Sequence, residues 1–224
     1  MLGQCIILPQ ISGRERRGGD DLKQNYRFGA VIPAAGLSSR MGAFKPLLPC
    51  GDSTVIETAI GSVFPYVSTA VAVVGHQGEQ LRSVLTSTFK DYLTIVTNPD
   101  YASTDMLRSV QLGLRAIRDY DAFFLLPADM PLIKPRVYET LIDAFDGSAD
   151  VIYPVFDGRR GHPPLINHAV VPAIMTYRGE GGLRAILSTC ATKEVKISDS
   201  GILTDLDTPR DYENIKNEVH DALS

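Results

Sequence analysis

Phe28-Gly29-Ala30-Val31-Ile32-Pro33 is a short, wholly apolar run, followed at once by Ala34-Ala35-Gly36-Leu37-Ser38-Ser39-Arg40-Met41-Gly42-Ala43-Phe44-Lys45. A run apolar on both faces suits a strand buried in a parallel sheet, where helices cover both sides. Small residues at its carboxyl end let the backbone approach a ligand, and open α/β sheets bind ligands at that edge. Arg40 and Lys45 bring two cations to the same loop, and both the guanidinium fork and the ammonium point charge suit phosphate oxygens. The alternative for both is an ordinary strand-to-helix loop with solvated side chains. The order is not that of a P-loop, since Gly36 and Gly42 are separated by five residues and Lys45 follows later. Nor is it G-x-G-x-x-G, which counts against a dinucleotide site.

Downstream the pattern alternates. Thr54-Val55-Ile56-Glu57 reads as a capping box opening a helix. Then come a strand at 70–75, a helix at 77–88 and a strand at 93–97. A helix from Asp105 to Ile117 carries Met106, Val110, Leu114 and Ile117 on one stripe. The run at 122–128, apolar on both faces, is expected centrally in the sheet, with a helix near 134–146 and a strand at 150–156 after it. Such alternation predicts a three-layer α/β fold, a mostly parallel sheet flanked by helices. Past Phe156 the rhythm breaks at Gly161-His162-Pro163-Pro164, where residues before proline avoid the helical region. Two short helical patterns, a strand at 195–197 and a last helix capped by Thr208-Pro209-Arg210-Asp211 complete the reading. Residues 1–26 are expected to form a poorly ordered extension, and 27–224 one domain.

Composition narrows the function. With 44% hydrophobic and 21% charged residues and a formal net charge of −4, the chain has no clustered cations of the kind that bind a nucleic-acid polymer. Cys5, Cys50 and Cys190 stand far apart, in no metal-ligand spacing, which suggests a reducing compartment. No apolar stretch approaches the ~18 residues of a membrane span, and the N-terminus lacks the form of a signal peptide. A cytoplasmic location is expected.

The stretch from Pro33 to Leu48, Ala-Ala-Gly-x-Ser-x-Arg-Met-Gly-x-x-Lys-x-Leu-Leu after its first residue, resembles the signature of the MobA-like NTP-transferase family. Val74-Gly75-His76, Asn98-Pro99 with Ser109, Pro127-Ala128-Asp129-Met130-Pro131, Gly161-His162-Pro163 and Asp205-Leu206-Asp207-Thr208-Pro209 follow in family order. The last two elements look most like the molybdenum cofactor cytidylyltransferases. The resemblance implies a Rossmann-like, GT-A-like nucleotidyltransferase fold and transfer of a nucleoside monophosphate from an NTP to the molybdopterin cofactor's phosphate, with a molybdoenzyme as a further recipient. It associates an Ala-Ala-Gly start with CTP and an Ala-Gly-Gly start with GTP. Pro33 departs from the usual leucine.

Site residues follow. Asp129 comes directly after a buried strand, where a charge is expensive unless it faces a cleft or a cation. Mg²⁺ takes one or two carboxylates and fills its remaining sites with water and phosphates. Asp129 and Asp207 are the expected ligands, with Asp205 in reserve; an acid beside a helix start is also favoured by the dipole alone. Arg40 and the amides of Ala34, Ala35 and Gly36 are expected on the triphosphate, with Lys45 bridging the α-phosphate and the incoming phosphate. By the resemblance, Gly75 and Ser109 line the nucleoside pocket and His162 meets the acceptor, although an exposed serine and a turn-supporting histidine are the plainer alternatives. The start of the Glu180-Gly181-Gly182-Leu183 helix either offers amides to the acceptor's phosphate or is a plain helix start. Two other functions share these features: transfer to a sugar or polyol phosphate, and a non-catalytic nucleotide-binding chaperone.

Overall fold

The structure, a computed structural model, describes residues 26–36 and 43–223. The extension up to residue 25 and the loop residues 37–42, Arg40 among them, lie outside the described residues. Strand β1 (Phe28–Ala34) leads to a small hairpin of β2 (Pro49–Cys50) and β3 (Ser53–Thr54), then helix α1 (Val55–Val63). Next are β4 (Thr69–Val74), α2 (Gly78–Phe89), β5 (Thr94–Thr97), α3 (Met106–Ala116), β6 (Ala122–Leu125) and α4 (Pro135–Ala144). The last third adds β7 (Val151–Phe156), β8 (Arg159–Arg160), β9 (Leu165–Asn167), α5 (Val171–Thr176), α6 (Gly182–Leu187), β10 (Thr192–Lys196) and α7 (Pro209–Leu223).

The main sheet runs β10-β7-β9-β6-β1-β4-β5, with β8 paired to β7. Strand β1 lies between β6 and β4, parallel to both. Its two faces enter different cores, as the period of two requires. Ala30 and Ile32 pack with Ile56, Ile60, Leu81, Leu85, Val137 and Leu141, so α1, α2 and α4 cover one side. Val31 packs with Val110, Leu114, Ile174 and Leu183, so α3, α5 and α6 cover the other. Three layers result. Thr54 and Glu57 cap α1 reciprocally, and Glu57 also accepts from Thr88 of α2.

The structure departs from the pattern read in the sequence in several places. Strand β9 is antiparallel to both β6 and β7; at three residues it is too short to show a period. Met106, expected on the buried stripe of α3, is 52% exposed, and Leu107 is buried in its place. The first turn of α3, which begins from the Asp105 cap, projects over the sheet's carboxyl edge, so the stripe starts one residue later. Tyr26, assigned above to the extension, packs edge-on against Phe145 with ring centroids 4.9 Å apart.

Helix α3 lies close on β1 and β4 because it carries a glycine where it crosses them. A Cβ on Gly113 would sit 2.7 Å from Val31 Cγ1 and 3.2 Å from both Val71 Cγ1 and Val73 Cγ2. Alanine would raise helix propensity by about 1 kcal/mol, but overpacking against stiff, fully buried valines costs about 1–3 kcal/mol. The steric term should win: Gly113→Ala is expected to lower the urea midpoint, and an unchanged or raised midpoint would show that the strands yield.

Candidate active site

The carboxyl ends of β6, β1, β4 and β5 stand side by side in that order, and a cleft of about 290 Å³ opens above them. Ala34, Ala35 and Gly36 extend β1 along its floor. Lys45 enters from a 3₁₀ turn, Lys45–Leu47, held between the extended Phe44 and Leu48. Asp129 follows β6 on the loop that runs past Pro127 and Ala128. The Lys45–Asp129 end of the cleft is therefore at β6, and Asn98, Tyr101, Thr104 and Ser109 line the end at β4 and β5.

Lys45 is only 8% exposed. Its Nζ donates to Asp207 Oδ1 at 2.6 Å and lies 3.9 Å from Asp129 Oδ2. Backbone pairing brings the two aspartates together, since the Leu206 N–H donates to the Asp129 carbonyl at 3.0 Å. Asp207 then precedes Thr208, whose hydroxyl and amide pair with the Asp211 carboxylate at the start of α7. Burial pushes the Asp129 carboxyl above the usual carboxylate range; the Lys45 charge pulls it back, while Asp205 and Asp207 push it up further. The residues thus place Asp207, rather than Asp205, on the ammonium. Two carboxylates turned toward one cation position make a donor set that fits a hard divalent ion, which needs no full protein cage. Among the described residues no group of three or more His, Cys, Asp or Glu forms such a cage.

At the other end, Ser109 is buried at 3% exposure, not an exposed helical serine. The Asn98 side-chain amide donates to Ser109 Oγ and to Thr104 Oγ1, both at 3.2 Å, while Asn98 Oδ1 accepts from the Asp100 N–H at 3.1 Å. Asn98, buried after β5, therefore fixes the 98–104 loop and the first turn of α3 against each other. Gly75 stands behind the cleft wall rather than on it. Its Cβ would lie 2.6 Å from Tyr101 Cβ and 2.8 Å from Ala35 Cβ, so only glycine lets Tyr101 close against the floor.

Sequence reasoning missed Tyr101 as a wall residue and gave His76, in the turn after β4, no contact with it. The His76 ring lies between Phe44 (5.5 Å) and Tyr101 (6.0 Å), linking the neighbour of Lys45 to the far wall. Only the aromatic after Asn98-Pro99-Asp100 hinted at this. His162 does line the cleft. Its N–H donates to the Ile202 carbonyl at 2.8 Å, and Gly161 before it leaves no room for a Cβ against that carbonyl. Burial pushes the His162 imidazole below its ordinary pKa, against the pull of Asp205 and the Leu125 carbonyl, and its Nδ1 is buried with no hydrogen-bond partner. Gly181 and Gly182 do not line the cleft; Gly182, at φ +56°, abuts Asp105, whose Oδ2 would lie 2.5 Å from a Cβ there.

Comparison with known proteins gives the family. Residues 30–195 match the MobA-like NTP transferase domain. The molybdenum cofactor cytidylyltransferase of Escherichia coli (strain K12) is 30% identical over 182 residues, 81% of this chain and 92% of that protein. A probable molybdenum cofactor guanylyltransferase of Mycobacterium avium (strain 104) is 24% identical over 198 residues, covering 85% and 95% of the two chains. Among solved structures, a nucleotidyl transferase from Methanothermobacter thermautotroptrophicus superposes with a TM-score of 0.75 at 23% identity, over 88% of this chain and 99% of that one. A cleft at the carboxyl edge of a largely parallel sheet, with a lysine between two aspartates, thus comes with whole-length relatives of one activity: the chain belongs to the MobA-like NTP transferase family and is a nucleotidyltransferase related to the molybdenum cofactor cytidylyl- and guanylyltransferases.

Proposed function

We infer that this chain transfers CMP from CTP to the phosphate of the molybdopterin cofactor and releases pyrophosphate. The observation that carries the reading is the Lys45 ammonium held between Asp129 and Asp207 at the end of the cleft where phosphates gain most from fixed charge. CTP is favoured by Ala34-Ala35-Gly36 and by the cytidylyltransferase relative. In the reaction, an oxygen of the acceptor phosphate forms a bond to the α-phosphorus, and the bond from that phosphorus to the bridging oxygen breaks. The electron pair leaves with pyrophosphate. Little covalent chemistry falls to the protein, so catalysis is positioning and the neutralisation of developing charge.

Lys45 holds an oxygen of the α-phosphate and one of the incoming phosphate, lowering their mutual repulsion. The amides of Ala35 and Gly36, with Arg40 from the neighbouring loop, hold the rest of the triphosphate. Tyr101 and Ser109 bound the nucleoside end, and Asn98 orients Ser109 by occupying its oxygen as acceptor. His162, whose imidazole burial pushes below its ordinary pKa, lines the cleft and is the residue assigned to the acceptor. Asp129 and Asp207 would hold Mg²⁺, which when bound supplies charge neutralisation at the phosphates.

Lys45→Ala and Asp129→Asn are each expected to lower kcat by about 10²–10³-fold, the usual effect of removing one fixed charge or donor from a transition state. Nucleotide affinity should fall far less, and steady-state turnover beside equilibrium binding separates the two; near-normal turnover in either variant would remove these roles. Substrate choice is tested by thermal unfolding with CTP, GTP and ATP, each with and without Mg²⁺, because a ligand of the folded state raises its stability. The largest shift is expected with CTP and Mg²⁺. A larger shift with GTP would move the product to the guanylylated cofactor, and turnover with a sugar phosphate but not with molybdopterin would reassign the acceptor.

A further inference from the structure

His76 reaches three parts of the cleft without lining it. Its backbone N–H donates to the carbonyl of Ala35, on the floor, at 3.4 Å. Its ring stands edge-on to Phe44, with centroids 5.5 Å apart, and tilted to Tyr101 at 6.0 Å. Both separations lie within the roughly 4.5–7 Å over which ring pairs attract. Phe44 immediately precedes Lys45, and its carbonyl accepts from the Leu47 N–H at 3.2 Å, so the same turn carries the ring and the ammonium. Tyr101 and Lys45 line the cleft; Phe44 and His76 do not.

The histidine is itself held by rigid elements. Gly75 before it leaves no room for a Cβ against Tyr101 or Ala35. The Gly78 N–H donates to the Gly75 carbonyl at 2.9 Å and the Leu81 N–H to the Gln77 carbonyl at 3.1 Å, which closes the turn between β4 and α2. Strand β4, where the turn begins, is paired on both sides. The Lys45–Leu47 turn is three residues long and has no side-chain cap bond, so packing must help to fix it. A side chain that is to position another needs such a rigid base, and His76 has one.

We propose that His76 is a positioning residue for the transfer reaction: by packing against Phe44 and Tyr101 together, it sets the place of the Lys45 ammonium relative to the nucleoside wall. The inference rests on the reading of Lys45 at the α-phosphate and Tyr101 at the nucleoside. A nucleotide seated against Tyr101 at one end then meets the ammonium at a set distance at the other, and its seating is felt through the imidazole at Phe44. Ring contact carries the role, not proton transfer. A misplacement of about 1 Å can cost about 10²-fold in rate, which is why a residue outside the cleft matters to the chemistry within it.

The test measures turnover of CTP with molybdopterin, and equilibrium CTP binding, on the full chain with Mg²⁺. His76→Ala keeps the backbone bond to Ala35 and removes only the ring. It is expected to lower kcat by about 10- to 100-fold, with CTP affinity changed much less. His76→Phe, which restores a ring without ionisable nitrogens, should recover most of the rate. Because His76 acts through Lys45, Lys45→Ala should cost less in the His76→Ala background than in wild type. Near-normal kcat in folded His76→Ala, or losses that simply multiply, would overturn the proposal while leaving Lys45 in its role. Normal turnover in Lys45→Ala would instead remove the reading beneath it.

A second readout needs no acceptor. The sequence contains no tryptophan, so Phe44→Trp places a lone indole beside Lys45, outside the cleft lining. Cytidine, which lacks phosphates, should shift its emission. That shift should vanish in Phe44→Trp/His76→Ala while cytidine still raises the thermal midpoint. An emission shift that survives loss of the imidazole would overturn the proposal. If cytidine stabilises none of these proteins, the nucleoside reading itself falls, and the inference with it.

Discussion

The cost of burying a charge governs this molecule. A lysine 8% exposed is tolerated only with a partner, and Asp207, on a segment far from it in sequence, makes the short bond. Holding Asp207 there requires the backbone pairing of Leu206 with the Asp129 loop, the Thr208–Asp211 cap and the packing of α7 through Ile215 against Cys50 and Val55. Each of these elements keeps a carboxylate in place at the sheet edge. The ion pair alone is no strong stabilising force, since desolvation offsets much of its attraction. Its value lies in holding complementary charges in one cleft, where phosphates can engage them.

The nucleoside end is built by a different principle. There close backbone approach replaces charge: Gly75 lets Tyr101 lie against Ala35, and Asn98 saturates the polar atoms between loop and helix. One end of the cleft is thus fixed by electrostatics and the other by sterics and hydrogen bonding. The Phe44–His76–Tyr101 rings run between them, giving the lysine turn and the far wall a shared packing surface.

Much of this was legible in the sequence, for identifiable reasons. The apolar run at β1, the capping box at Thr54 and the cap at Thr208 are local signals, and local signals survive into the structure. That Lys45 and Asp129 line one cleft was legible because strand ends gather at one edge of a parallel sheet; Asp207 joins them through the backbone pairing of Leu206 with Asp129. Strand β9 was not legible, since three residues carry no period and its pairing partners are set by long-range packing. Met106 misled because an apolar residue at the right spacing was read as core, whereas the helix start overhangs the cleft. Asn98 and Tyr101 were hard to read because their importance lies in what they touch, and nothing in their spacing announces those contacts.

The reversed strand has a consequence for how the chain becomes whole. Because β9 lies between β6 and β7, the sheet cannot be closed until residues 165–167 exist. During synthesis, everything up to β7 must wait with the edge of β6 unpaired, and its four residues are wholly apolar and buried in the finished protein. Open apolar edges are templates for wrong pairing. The short reversed strand therefore acts as a keystone set late, and a fragment ending before Leu165 would be exposed to aggregation even though it contains Lys45 and Asp129.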